Sequence, residues 1–299
     1  MDAPRQAPFH LTNEPLLRWR IGPVTVTRIV EGITEFSSQM FLPSLSKEQI
    51  EEAGDWAEPF FTADKRRLLL SCHSFLVETP QSTIVVDTCV GTHQPRSMQT
   101  DPTFLDRLIA AIPGGRENVD AVVCTHLHFD HVGGNTIEID GALQPTFPNA
   151  RYLISEAELA ATLETDHMGV IDESVRPLLD AGVLDAVAAD HRIDTWTALV
   201  SSPGHSPGHV CLSIETDDAA ALITGDAVHS PLQFTYPFVS AEIADHDSNE
   251  ATRTRERLID RLADTNTLVL GTHFPTPTAG HLRGGPLPWI DPVAGDALD

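Results

Sequence analysis

Short runs of apolar residues recur along the chain and predict a mixed α/β protein. Several of them, such as residues 84–86 and 121–123, are continuously apolar, which is typical of strands that are buried on both faces. Strands are predicted at nine places: Val24–Val30, Leu69–Glu78, Thr83–Asp87, Ala121–Thr125, Arg151–Ile154, Thr197–Ser201, Val210–Glu215, Ala220–Thr224 and Thr267–Gly271.

The segments between these strands carry helix start and stop signals. Ser46 and Ser155 each stand three residues before a Gln or a Glu, the spacing of a capping box, and Gly54 stands where the first of these helices is expected to end. Two more helices are predicted, over Thr103–Ile112 and Ser248–Ala263. Because strands and helices interleave without a break, we predict one α/β (α+β) domain over residues 1–299, with helices on the outer faces of two packed sheets.

The segment 39–67 differs from this pattern, because it sets aromatic residues among acidic ones before the main strands begin. These aromatic residues are Phe41, Trp56, Phe60 and Phe61. In one interpretation the segment is a helix and loop whose aromatic side chains cover the core. In the other it is a lid beside a pocket or a dimer contact, since aromatic clusters on loops often serve binding.

Composition is that of a folded globular protein with a strongly acidic surface. Apolar residues make up 41% and charged residues 21%, and 19 Lys and Arg against 43 Asp and Glu give a net charge of −24. Such a surface repels phosphate backbones and anionic membranes, so neither nucleic acid nor a membrane is expected as a partner. The polar N-terminal stretch has no apolar signal core, and the four cysteines form no CxxC pair. We therefore expect a cytoplasmic protein.

One motif concentrates chemically active side chains directly after a buried strand. Residues 125–131 read Thr125-His126-Leu127-His128-Phe129-Asp130-His131. Three imidazoles and a carboxylate within so short a stretch suit zinc or a similar divalent metal. Further donors follow three later strands, namely His205, Asp226 and His273. A single loop histidine or Gly-Asp turn indicates little, but the order of the set and its placement at strand ends indicate a metal site.

Taken together, these motifs resemble the metallo-β-lactamase superfamily over nearly the whole chain. The resemblance rests on HxHxDH, the first histidine of PGHxPGH, a Gly-Asp pair and a C-terminal histidine. It implies an αββα sandwich that holds two divalent metal ions, zinc by preference, at one edge. By motif, the first ion would be bound by His126, His128 and His205, the second by Asp130, His131 and His273, and both by the bridging Asp226.

The resemblance also implies supporting roles for residues outside the ligand set. Asp87 matches the Asp-Thr-Gly turn whose carboxylate supports a ligand histidine, although Cys89 replaces the glycine. His209 is assigned to a structural hydrogen bond. The histidines without a motif are expected on the surface or in satisfied loop positions: His73, His93, His167, His191 and His246.

The region after Asp226 is similar to the branch that contains methyl parathion hydrolase and the N-acyl homoserine lactonases. In the lactonases a tyrosine stands where this chain has His229, so His229 either takes over its hydrogen bond or packs beside the site. Asp130, Asp226 and His229 are therefore the candidate catalytic residues. The implied mechanism is attack on a carbonyl carbon or phosphorus by a hydroxide held between two cations.

The function implied by this branch is hydrolysis of a neutral lactone or activated aryl ester, with phosphotriesters as side substrates. We expect the apolar acyl or aryl group to enter a pocket lined by Phe234 and Phe238, with Trp56 or Phe60. One alternative is a thioesterase of the glyoxalase II kind, which would want a basic patch for its anionic substrate. Another is a di-iron redox or sensor protein, which would require a flavin or partner domain. The resemblance and the aromatic segment 39–67 together suggest a homodimer.

Overall fold

The computed structural model describes residues 9–10, 14–91, 101–166 and 168–298. His93 and His167 lie outside these ranges. The strands are β1 (Phe9–His10), β2 (Leu16–Ile21), β3 (Val24–Ser37), β4 (Arg67–Glu78), β5 (Thr83–Val86), β6 (Ala121–Val123), β7 (Thr136–Ile139), β8 (Ala142–Pro145), β9 (Arg151–Ser155), β10 (Leu184–Val187), β11 (Thr197–Ser201), β12 (Val210–Glu215), β13 (Ala220–Ile223), β14 (Thr267–Leu270), β15 (Ala279–Arg283), β16 (Trp289–Pro292) and β17 (Asp296–Leu298).

The helices are α1 (Ser38–Phe41), α2 (Lys47–Ala53), α3 (Phe104–Ala111), α4 (Phe129–Val132), α5 (Glu156–Glu164), α6 (Arg176–Asp180), α7 (Leu232–Thr235) and α8 (Ser248–Leu262). Short 3₁₀ turns cover Gly54–Phe60, Arg116–Asn118, Gly133–Asn135 and Gly225–Ala227, and a π turn covers Ile171–Val175. Within the described ranges, no helix is both long and apolar enough to cross a bilayer.

Two mixed sheets form the centre of the molecule. The first has the strand order β10-β9-β6-β5-β4-β3-β2-β17, with β1 paired to β3, and the second has the order β11-β12-β13-β14-β15-β16. Strands β10, β9, β6 and β5 pair in parallel in the first sheet, and β13 and β14 pair in parallel in the second. Strands β7 and β8 form a separate hairpin.

Three apolar clusters fill the spaces between four layers. Along β4, Phe75 and Val77 point into the cluster between the sheets, whereas Leu76 points to the cluster under α3. On the second sheet, Leu222 and Val269 face a third cluster that includes residues of α8. Since successive strand side chains point to opposite faces, continuously apolar strands are buried on both sides. The predicted αββα sandwich is confirmed.

All nine predicted strands are present, but β3 and β4 extend further than predicted. They pair from Thr25 opposite Glu78 to Ser37 opposite Arg67, with a bulge between Val30 and Gly32. Polar residues in the extension of β3 interrupt its apolar run, so the sequence pattern ended too early. Eight short or peripheral strands were missed: β1, β2, β7, β8, β10, β15, β16 and β17.

The predicted helices are confirmed, and one cap differs in detail. Ser46 and Gln49 form a complete capping box, and the helix ends at Gly54, whose φ of 73° favours glycine. Ser155 accepts a hydrogen bond from the Glu158 amide at 3.2 Å, but the Glu158 side chain makes other contacts and does not complete a box.

The segment 39–67 forms α1, α2 and a 3₁₀ turn that pack over the outer face of the second sheet. Phe41, Phe60 and Phe61 are buried there, so the aromatic side chains do cover the core. Trp56 is partly buried and its ring lies 6.4 Å from that of Trp289. A role of this segment as a lid or a dimer contact stays a prediction.

His73 is placed differently from the expectation. It lies in β4 and is buried, with Nδ1 2.8 Å from Ser71 Oγ and its ring 4.8 Å from that of Phe75. The prediction of a surface or loop position was wrong, because a histidine with a hydrogen-bond partner can be accommodated in a core strand.

A substitution at Phe75 tests how much the apolar core between the sheets contributes to stability. Its side chain is fully buried, so Phe75→Ala should lower the free energy of unfolding by about 3–5 kcal/mol. The control is Leu163→Ala on α5, where the leucine is 51% exposed and the change should stay within about 0.5 kcal/mol. Urea denaturation of both variants measures the difference, and equal losses would contradict the packing described.

Candidate metal centre

The ends of two parallel strand pairs bring the site residues to one edge of the sandwich. Asp87 follows β5 and His126 follows soon after β6, which are neighbours in the first sheet. Asp226 and His273 follow β13 and β14, which are neighbours in the second sheet. Because the carboxyl ends of parallel strands meet at the same edge, each pair of side chains converges.

The first group of donors comprises His126, His128, His205 and Asp226, whose candidate ligand atoms all lie within 4.8 Å of one another. The Nε2 atom of His205 lies 2.9 Å from His128 Nδ1 and 3.2 Å from His126 Nε2. The same nitrogen lies 3.4 Å from Asp226 Oδ2. Four donor atoms therefore converge on a space of the size that one ion needs.

The second group comprises Asp130, His131 and His273, again with donor atoms within 4.8 Å of one another. Asp226 Oδ1 lies 3.3 Å from His131 Nε2 and 3.2 Å from His273 Nε2. Asp226 thus presents Oδ2 to the first group and Oδ1 to His131, while His273 Nε2 lies 3.2 Å from both oxygens. The structure brings together all seven residues that the sequence singled out as ligands.

Burial and the local charges set the protonation of the site. Burial and neighbouring imidazoles hold the pKa of His126 well below its usual value, and burial lowers the pKa of His128 to about 3. Both are therefore neutral, the form in which imidazole binds metal. Burial opposes ionisation of Asp226, but His131 and His273 hold its pKa well below the ordinary value, so it is a carboxylate.

The donor set fits divalent metal ions. Two buried atoms of the site, His131 Nε2 and Asp226 Oδ1, make no hydrogen bond within the described part of the chain. Unsatisfied buried polar atoms are costly, and a cation between them would use both lone pairs. Imidazoles with carboxylates are ligands that suit zinc and similar transition metals. The residues present thus fit two ions that share Asp226.

The outer nitrogen of several site histidines is held by a hydrogen-bond partner. His131 Nδ1 lies 2.9 Å from Asp87 Oδ2, His205 Nδ1 lies 3.0 Å from Asp245 Oδ1, and the Ser71 carbonyl accepts from His273 Nδ1 at 2.9 Å. Such partners select the tautomer and the ring orientation of a histidine that faces a metal.

The turn that carries Asp87 places Cys89 in a backbone conformation that glycine adopts more readily. Asp87 and Cys89 adopt φ values of 55° and 59°, in the left-handed region. Asp87 also accepts hydrogen bonds from the amide and the hydroxyl of Thr125, each at 2.8 Å. A Cβ on Gly133 would lie 1.7 Å from the Val90 carbonyl oxygen, so the glycine lets this turn and the HxHxDH segment approach closely.

His209 has the structural role that was expected. Its Nε2 accepts a hydrogen bond from the Asp226 amide at 2.8 Å, and its Nδ1 lies 2.8 Å from Ser202 Oγ. Burial holds its pKa well below the usual value, so it remains a neutral acceptor. His209 therefore orients the backbone of Asp226.

Two positioning residues escaped the sequence reasoning. The buried Glu158 of α5 accepts from the Leu127 amide at 2.9 Å, from the Ser206 hydroxyl at 2.6 Å and from the Gly208 amide at 3.0 Å. It ties together the two loops that carry His126 and His205. The other, Asp245, belongs to no motif, and both residues act through contacts that are distant in sequence.

An apolar cavity of about 280 Å³ opens beside the site. Its apolar walls include Phe36, Phe41, Leu70, Val90, Met168 and Ile243. The predicted lining was Phe234 and Phe238, with Trp56 or Phe60, and none of these residues lines the cavity. Phe60 and Phe234 are instead part of the core outside the second sheet, and Trp56 lines a separate cleft with Trp289, so that expectation was wrong.

His229 lies between the cavity and the donor groups. It is 2% exposed, and its Nε2 lies 3.1 Å from Asp226 Oδ2. Its ring meets that of Phe41 edge-on at 5.2 Å and stacks on that of His273 at 5.7 Å. Burial lowers the pKa of His229, although the charge of Asp226 acts in the opposite direction. The lowered pKa favours the neutral imidazole.

Comparison with known proteins gives a family match. Residues 67–273 match the description "Metallo-beta-lactamase superfamily". An N-acyl homoserine lactonase of Bacillus thuringiensis is 30% identical over 176 residues, which are 54% of this chain and 65% of that protein. The chain thus spans just under two thirds of that relative's length.

Two solved structures share the fold over nearly the whole chain. The hydrolase AbOPH, described as belonging to the beta lactamase superfamily, superposes with a TM-score of 0.78 at 23% identity. AidC, a dizinc quorum-quenching lactonase with the product N-hexnoyl-L-homoserine, superposes with a TM-score of 0.75 at 21% identity. Each match covers 94% of this chain and 98% of the other. At this identity the likeness shows the fold.

Glu158 provides a test of how the two loops are held. In Glu158→Gln an amide NH₂ would replace one acceptor oxygen, leaving at least one of three buried donors without a partner. We expect a loss of about 1–3 kcal/mol in the free energy of unfolding. Thermal and urea denaturation measure it against Glu164→Gln, an exposed position on the same helix. Equal stability of the two variants would show that Glu158 does not tie the loops together.

Proposed function

The chain belongs to the metallo-beta-lactamase superfamily, and on this premise we propose that it is a metal-dependent hydrolase of a lactone or activated ester. Phosphotriesters are proposed as side substrates. The observation that carries the proposal is the position of the Asp226 carboxylate, which lies between the two groups of imidazoles and within reach of both. This shared carboxylate lies at the end of an apolar cavity large enough for a small acyl or aryl group.

The proposed ligands follow the two donor groups. One ion would be held by His126, His128 and His205, the other by Asp130, His131 and His273, and both by Asp226. Zinc is the proposed metal because the donors are imidazoles and carboxylates. Divalent ions held there would lower the pKa of water and stabilise negative charge that develops on a substrate oxygen.

The walls of the site favour an uncharged substrate. Apart from the donor groups, the described residues that line the apolar cavity are mostly aromatic or aliphatic, and they include no lysine or arginine. An anionic thioester would find no lysine or arginine there among the residues that the structure describes, and it would also approach a protein of net charge −24. A neutral lactone or aryl ester is therefore preferred over the glyoxalase II type of substrate. The lactonase named among the relatives supports the same class.

We further propose that His229 is a catalytic residue that donates a hydrogen bond to the leaving oxygen. Its neutral ring has Nε2 directed at Asp226, beside the place where the cavity meets the donor groups. As the leaving alkoxide develops charge, a donor at this position would stabilise it. The alternative is a packing role, which the contacts with Phe41 and His273 would equally allow.

Metal content and Asp226 test the core of the proposal. Elemental analysis should find about two divalent ions per chain, because seven donors exceed the needs of one tetrahedral site. Asp226→Asn keeps the shape but removes the shared charge, so turnover should fall about 100-fold or more and metal content with it. Asp291→Asn, which affects a surface ion pair with Arg283, should change neither. Full activity with one ion or none would refute the two-ion arrangement.

Rates on substrates of different charge test the proposed substrate class, and rates on substrates with different leaving groups test the role of His229. Neutral lactones and aryl esters should be hydrolysed faster than anionic thioesters of similar size. His229→Ala should lose about 10²–10⁴-fold on lactones, whose alkoxide is a poor leaving group, and much less on nitrophenyl esters. His229→Gln, which keeps an N–H donor, should recover part of the loss. Equal losses on both substrates would assign His229 to packing, and a thioester as best substrate would replace the proposed class.

A further inference from the structure

A tight turn between α7 and α8 forms one wall of the apolar cavity. The amides of Ala244 and Asp245 both donate to the Ala241 carbonyl oxygen, at 2.8 and 2.7 Å. Ile243 and Ala244, at the tip of this turn, line the cavity. Ile243 is 59% exposed, so its position depends mainly on the conformation of the turn and little on packing of its side chain. The conformation of residues 241–245 therefore shapes the cavity.

The side chain of Asp245 joins this turn to a histidine of the metal centre. Its carboxylate is fully buried, with Oδ1 3.0 Å from His205 Nδ1, while Oδ2 accepts from the Ala241 amide at 3.1 Å. One carboxylate thus contacts both the outer nitrogen of His205 and the start of the cavity wall. Two backbone hydrogen bonds join the same two segments. The His246 amide donates to the His205 carbonyl and the Asp247 amide donates to the Gly204 carbonyl, each at 2.9 Å.

Arg255 of α8 holds Asp245 from behind. Its guanidinium is fully buried, with NH1 3.6 Å from Asp245 Oδ2. It also donates to the Pro237 carbonyl at 2.8 Å and to the Ser240 hydroxyl at 3.0 Å, so it anchors the chain just before the turn. Because desolvation offsets most of the attraction in a buried ion pair, such a pair is a poor source of stability. A role in orienting His205 and the turn accounts better for its presence.

We propose that Asp245 is a positioning residue that couples the His126, His128 and His205 group to the wall of the apolar cavity. The proposal rests on the proposed function, since it takes His205 to be a metal ligand. An ion at this group would fix the His205 ring, which fixes Asp245 and, through the Ala241 amide, the turn. Loss of the ion would release the turn.

Asp87 provides the matched comparison. It makes the same kind of contact with His131 of the second group, at 2.9 Å. Its other side-chain hydrogen bonds in the described chain go to Thr125, which does not line the cavity. Asp87 should therefore influence an ion without influencing the turn at residues 241–245.

The test uses zinc as the only probe and requires no substrate. Metal-free protein is titrated with zinc against a chelator, and hydrogen exchange of the amides of Ala241, Ala244 and Asp245 is followed with and without zinc. In the wild type, zinc should slow exchange at these amides. In Asp245→Asn, one of two ions should bind about 10–100-fold more weakly, and zinc should no longer slow exchange there. Asp87→Asn should also weaken one ion but keep the zinc-dependent protection.

A second variant guards against loss of folding, because Asp245→Asn leaves the buried charge of Arg255 without its partner. Asp245→Asn combined with Arg255→Met removes both charges and should lose the zinc-dependent protection in the same way. Unchanged zinc affinity and protection in both variants would overturn the proposal, as would equal loss of protection in Asp87→Asn. A wild type that binds no zinc would overturn both this inference and the proposed function.

The coupling through Asp245 and the proposed hydrolase function can also fail separately. Zinc-dependent protection in a protein that hydrolyses no lactone, ester or thioester would leave the coupling standing and refute the hydrolase. Lactone hydrolysis by a zinc-loaded protein without any protection of the turn would do the reverse.

Discussion

The Asp226 carboxylate is the constraint on which the rest of the site depends. It is buried, neighbouring histidines favour its charged form, and it lies between two groups of imidazoles, so both sheets must deliver their side chains to the same point. The second sheet delivers Asp226 itself, while the first delivers the HxHxDH segment after β6. A sandwich of two sheets with parallel strands at this edge satisfies that demand, since parallel strands end side by side. The four layers are thus a means of holding one carboxylate between two sets of imidazoles.

Holding so many polar atoms together has a structural cost, and close contacts around the site show how it is met. A Cβ on Gly225, where φ is 52°, would lie 2.5 Å from His209 Nε2, so only glycine lets His209 reach the Asp226 amide. Glu158 satisfies three donors from two loops at once. These groups are neutralised or hydrogen-bonded by neighbours that lie far away in sequence, and the apolar layers supply the burial that stabilises the fold around them.

The parts of the structure that follow from local pattern were predictable. Continuous apolar runs, such as residues 121–123 in β6, identified the strands that are buried on both faces. The spacing of HxHxDH identified the donors. Strand β2 shows a missed local signal, since Leu17, Trp19 and Ile21 alternate inward between two arginines. Other misses had no local signal. Asp245 reaches His205 across forty residues, and the strands at the C-terminal end are short and broken by prolines and glycines, so only tertiary contacts define them.

The cavity shows that the apolar character of the pocket was easier to predict from the sequence than the residues that line it. A partly apolar pocket for an uncharged group was expected, but two of the aromatic residues predicted to line it, Phe60 and Phe234, are packed into the core. Phe41 instead reaches the site, because α1 directly follows the long strand β3 and places its ring against His229. One segment therefore both covers the second sheet and forms part of the cavity wall. The described lining residues include no lysine or arginine, so the features of this wall that could distinguish substrates of the proposed class are its shape at Phe41 and at the turn that carries Ile243.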